Sequence, residues 1–165
     1  GGDNRAQPTR RMTNTHVPMK RGDIKLEAVQ DRLLALLLKQ PKLRDIATEL
    51  PNEYFAHDDA RELLGFLKEN PDFDGSAEHA NALRPYANYV KILSLQYEEL
   101  YSDVELLELR YEAERLQAQL IEQYVKIQKQ QISKALQAGG DIDEQALLQK
   151  DKLLNELLRK FKGGK

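Results

Sequence analysis

Residues 102–138 read SDVELLELRYEAERLQAQLIEQYVKIQKQQISKALQA and are followed by Gly139-Gly140. No proline or glycine interrupts the stretch. Leu109, Ala113, Leu116, Leu120, Tyr124 and Ile127 recur at steps of three and four, and the line continues towards Ile132 and Leu136. That period predicts one amphipathic helix. At 1.5 Å per residue it is a rod of roughly 55 Å. Gln130 and Gln131 interrupt the stripe, which leaves a break near Gln128–Ser133 open. Ser102 and Glu105 fit the S-x-x-E capping box at the start of the rod. The two glycines stop it, because glycine adopts the left-handed conformation cheaply. Asp141 and Glu144 then restart a helix carrying Leu147, Leu148, Leu153, Leu154, Leu157, Leu158 and Phe161. So short a turn folds the two helices into an antiparallel hairpin.

Towards the N-terminus the helices become short. Asp23 can cap a helix with Leu26, Val29, Leu33, Leu36 and Leu37 on one face, and Leu34 and Leu38 widen that face until most sides are apolar. Pro41 ends this helix and can open a second, which carries Leu43, Ile46, Ala47 and Leu50 and stops at Pro51. Asn52–Phe55 is a connector. A third helix is predicted from about Asp58 to Glu69, a short fourth near Ala77–Leu83, and a fifth with Tyr89, Ile92, Leu93, Gln96 and Tyr97. The fold class is therefore all-α, a compact bundle of short helices, one long bridging helix and a C-terminal antiparallel hairpin. We expect three parts: a flexible basic linker over 1–22, a helical bundle over 23–130 and the hairpin over 131–165.

Composition narrows the function classes. Of 165 residues, 41% are hydrophobic and 32% charged, which suits a helical protein with a modest core. Cysteine is absent, which rules out disulfides, thiol nucleophiles and thiolate metal sites. The longest apolar run, Leu33–Leu38, is far too short to span a bilayer. We expect a cytoplasmic chain without a membrane partner. Net charge is −2. Residues 1–22 hold five cations against Asp3 alone, net +4, so the remainder carries −6. An acidic body argues against a duplex-DNA footprint, and little or no direct nucleic-acid binding is expected.

No cluster points to catalysis. His16, His57 and His79 include no pair at the helical i, i+4 metal spacing. His57-Asp58-Asp59 reads as a helix N-terminus, where acids suit the dipole. Asp141-Ile142-Asp143 looks like a magnesium-holding D-x-D, but capping after Gly-Gly explains it. No phosphate-binding P-loop is present. We expect no catalytic residues, no metal site and no cofactor. The tyrosines sit at helical spacing and are expected to pack between the fifth and sixth helices. The terminal hairpin is the candidate site. One helix cannot bury seven large apolar residues against a single neighbour, and surplus apolar surface marks a partner site. Leu147, Leu154, Leu157 or Leu158, and Phe161 can face the long helix, while Leu148 and Leu153 fall off that line. The candidate partner-binding residues are Leu147, Leu148, Leu153, Leu154, Leu157, Leu158, Arg159, Lys160 and Phe161, with Lys150 and Lys152 on a charged rim.

The stretch Arg32-Leu-Leu-Ala-Leu-Leu-Leu-Lys-Gln-Pro-Lys-Leu43 resembles the first helix and turn of the C-terminal domain of bacterial replicative DNA primases (the DnaG family). The order that follows is also similar: Tyr54-Phe55 and a short helix, the long helix, then a terminal hairpin. The likeness covers roughly residues 24–161. It implies a domain that binds the N-terminal domain of the hexameric replicative helicase, with the hairpin supplying most of the grip and the bundle modulating helicase activity. It also implies that catalysis lies in other domains of the primase, and that this domain is largely monomeric alone. The stretch Leu50-Pro-Asn-Glu-Tyr-Phe-Ala-His-Asp-Asp-Ala-Arg61 is similar to the helicase N-terminal domain, an oligomerisation module and the alternative reading. The hairpin at the end of the chain and the basic stretch before residue 23 lean towards primase. An unrelated coiled-coil adaptor stands as a third reading.

Overall fold

A computed structural model describes residues 21–162. Among these residues the fold is all-α, with no strand. The α-helices are α1 (Arg21–Lys39), α2 (Asp58–Glu69), α3 (Ala87–Tyr101), α4 (Leu106–Ala138) and α5 (Glu144–Lys162). Short 3₁₀ turns link α1 to α2 and α2 to α3. Of the linker expected over 1–22, residues 1–20 lie outside the described residues. Arg21 and Gly22 belong to α1, so Asp23 lies inside that helix and does not precede it.

The core is built around α1. Its six consecutive residues Leu33 to Leu38 are all completely buried. Six successive positions cover the whole circumference of a helix, so α1 is enclosed on every side. α4, α3 and α2 supply the walls. Leu109, Ala113, Leu116 and Leu120 form the buried line of α4, and Val90, Leu93, Tyr97 and Tyr101 that of α3. α2 buries Ala60, Leu63, Leu64 and Leu67, the positions its period predicts.

Three local expectations are corrected. The second helix is replaced by 3₁₀ turns at Pro41–Leu43 and Ala47–Glu49. Nine residues between two prolines, Pro41 and Pro51, nucleate a helix poorly. Hydrogen bonds to the third residue back, such as Ile46 N–H to the Leu43 carbonyl, still bury Leu43, Ile46, Ala47 and Leu50. The fourth helix is likewise a pair of 3₁₀ turns, Ala77–His79 and Asn81–Tyr86. The Ser102/Glu105 capping box does not form: Ser102 closes α3, and α4 starts at Leu106 from an extended Glu105 with no side-chain cap. α4 runs unbroken through Gln128–Ser133.

Arg44, only 3% exposed, closes the C-terminal end of α1. Its guanidinium donates to the carbonyls of Leu37 (2.8 Å), Leu38 (2.7 Å) and Pro71 (2.8 Å). A cation here meets the negative end of the helix dipole and carbonyls that would otherwise lack partners. On the far side of the turn, Asp45 accepts from Arg110 of α4, and Arg110 also donates to the Lys42 carbonyl. The guanidinium holds the Asp45 carboxyl below its usual range.

The α3 tyrosines do not all bond across to α4, which corrects in part their expected place between α3 and α4. Tyr89 donates to Asp31 (2.6 Å), and Gln40 donates to the Tyr97 hydroxyl (2.8 Å). Tyr101 alone of the α3 tyrosines donates to α4, at Glu112. α3 lies against the central helix, so its long side chains reach α1 first. Burial, then the bond to Asp31, pushes the Tyr89 phenol above its usual range. Burial also raises Asp31, against the lowering by that same bond. Ile92, on the same helix, is 53% exposed.

Candidate functional site: the terminal hairpin

Gly139 and Gly140 take φ of +69° and +78°, positive values that glycine adopts without the steric cost of a Cβ, and end α4. The expected restart at Asp141 moves two residues on: Asp143 accepts the Ala146 N–H (3.1 Å) and caps α5. α5 then packs principally along α4, antiparallel to it. Lys129 Nζ lies 2.9 Å from Asp151 Oδ1, and Phe161 lines the same groove as Ala118. Each pair of numbers sums to about the same value, the mark of an antiparallel register.

At 100° per residue, Leu147, Asp151, Leu154, Leu158 and Phe161 share the inward face of α5. Leu154 is 5% exposed; Leu147, Leu158 and Phe161 are half-buried against the core. One flank carries Leu153, half-buried Leu157, Lys150 and Lys160; the other carries Leu148, Lys152 and Arg159. Leu148 is 57% exposed and Leu153 55%. Lys160 Nζ stands 5.6 Å from the Phe161 ring centre, covering part of that ring.

The nine candidate residues therefore divide. Leu154 is covered by α4 and holds the hairpin together, so it is not a free contact. Leu147, Leu157, Leu158 and Phe161 show only an edge. Leu148, Leu153, Arg159 and Lys160 face solvent. Such a surface offers two separate apolar ledges on one helix, Leu148 with Lys152 on its outer side and Leu153 beside Lys150. Asp143 is engaged as a cap, His57 bonds Glu27 and His79 bonds Asp74. Among the described residues no group of three or more His, Asp or Glu side chains could hold a metal ion, and no helix is long and apolar enough to cross a membrane.

The sequence reading did not single out a second exposed apolar group, Leu100, Leu106, Leu107 and Tyr111 at the bend from α3 into α4. The signal was present, since Leu107 and Tyr111 lie off the Leu109–Leu120 line. Comparison with protein-family models, with curated proteins and with solved structures returned no match.

Proposed function

We propose that this chain is the non-catalytic helicase-binding domain of a bacterial replicative primase, recruiting primase to the N-terminal domain of the hexameric replicative helicase. The likeness of the Arg32–Leu43 stretch and of the helix order to that domain supplies the name. The single observation that carries the binding role is the state of α5. It holds seven large apolar residues, buries only Leu154 among them, and leaves Leu148 and Leu153 more than half exposed. A monomeric protein gains nothing in stability from leucines displayed in that way. The bundle, in this reading, anchors the rod and carries the modulating contacts.

Titration calorimetry of the chain into the helicase N-terminal domain tests the proposal. Saturable binding is expected. Leu148→Asp with Leu153→Asp should abolish it without altering the thermal unfolding of the bundle, since both side chains face solvent. Changing Leu154 is a poorer test, because it would loosen the hairpin itself. Absence of heat, together with stable oligomers of the free chain, would support the helicase N-terminal domain instead.

A further inference from the structure

α4 offers a helix seat longer than the helix that occupies it. Lys129, bonded to Asp151, and Ala118, which lines one groove with Phe161, mark the stripe along α5. Steps of three and four along α4 place Val125 and Ile132 on that stripe. Continued the other way, the same steps reach Arg115, Tyr111 and Leu107, beyond the end of α5. There the surface opens into a groove of about 650 Å³ lined by Tyr111, Glu114, Arg115, Ala118, Glu122 and Phe161. Leu107 and Tyr111 are each 63% exposed, and Leu100 and Leu106 add apolar surface at the bend.

The charge of this region is one-sided. Residues 98–122 contain eight carboxylates (Glu98, Glu99, Asp103, Glu105, Glu108, Glu112, Glu114 and Glu122) and two arginines, net −6. Both arginines are already engaged, Arg110 by Asp45 and Arg115 by Glu112. Residues 23–97 carry −4 and residues 123–165 carry +4, so the whole net charge of the body equals that of this one segment. A field this concentrated selects cations. The shape of the seat, already fitted by α5 one turn further along, selects a helix.

We infer that the α3–α4 bend and the groove beyond it dock a basic amphipathic helix of a partner protein. That helix lies on α4 in line with α5, its apolar face on Leu107 and Tyr111 and its Lys or Arg side chains towards Glu108 and Glu114. The inference is independent of what the hairpin itself binds.

The probe is a labelled helix-forming peptide of about 18 residues, with leucines at spacings of three and four and lysines elsewhere. Fluorescence anisotropy with the full chain should show saturable binding that weakens about tenfold or more when salt rises from about 0.05 to 0.5 M. A peptide of the same composition in scrambled order should bind far more weakly. Leu107→Ser with Tyr111→Ser, and separately Glu108→Lys with Glu114→Lys, should each reduce affinity about tenfold or more. These side chains are exposed, so an unchanged melting curve will show that the fold is retained. Leu148→Asp with Leu153→Asp should leave peptide affinity unchanged. Equal binding by the scrambled peptide, or indifference to both pairs at the bend, overturns the inference. So does self-association of the peptide-free chain that is lost in Leu107→Ser with Tyr111→Ser, because the occupant would then be the basic hairpin of a second copy.

Discussion

α1 and α5 are both 19-residue, leucine-rich helices, yet they end in opposite states. α1 is surrounded by three helices and hides six consecutive residues completely. α5 meets essentially one neighbour and buries one side chain of seven, Leu154. Leucine content therefore does not set burial; the number of neighbouring elements does. The difference separates the tasks of the two regions. Side chains that stabilise the bundle are inaccessible, and those the hairpin cannot bury are displayed.

Substitutions should reproduce that contrast, and the largest effect is expected in α1. Leu37→Ala should lower global stability by about 3 kcal/mol in denaturant unfolding, since it removes a fully enclosed side chain. A loss below about 1 kcal/mol would show that α1 is not the centre of the core. Arg44→Ala follows at about 2 kcal/mol, because three buried carbonyls lose a charged donor. Leu154→Ala should also cost about 2 kcal/mol, but locally. Hydrogen exchange should accelerate across α5 and the distal part of α4 while α1 amides stay protected. Uniform acceleration would mean that hairpin and bundle unfold as one unit.

The smallest effect concerns pH. Asp45 is held below its usual range by Arg110, so its contribution is complete above the unfolded carboxyl value of 3.8. That contribution is lost as pH falls through the lower folded value. Asp45→Asn should therefore cost less than about 1 kcal/mol near neutrality, because the pair is solvent-exposed, and nothing once Asp45 is protonated. An Asp45→Asn deficit that does not shrink as pH falls through the lowered folded value would show a steric origin.

The helix order, the bounds of α2 and the Gly139-Gly140 turn were legible because each rests on local chemistry: apolar period, acids in a first turn, a positive-φ stop that glycine allows. The inward line of α5 was legible for the same reason. What escaped depends on distant parts of the chain. Arg44 reads as an ordinary surface cation until the carbonyls of Leu37, Leu38 and Pro71 converge on it. The Pro41–Pro51 segment carries a helical period but is held by 3₁₀ turns, and Ser102 was taken up by α3 before it could cap α4. Periodicity marked Leu107 and Tyr111 as lying off the core line, but it cannot reveal where α5 ends and leaves them uncovered.

The central claim is that the hairpin grips while the bundle anchors. Hydrogen exchange of the chain, free and saturated with the helicase N-terminal domain, tests it most directly. The account predicts new protection confined to α5 and the distal half of α4, with α1 and α2 unchanged. Protection falling on α1–α2, with α5 exchanging as fast as in the free chain, would contradict it.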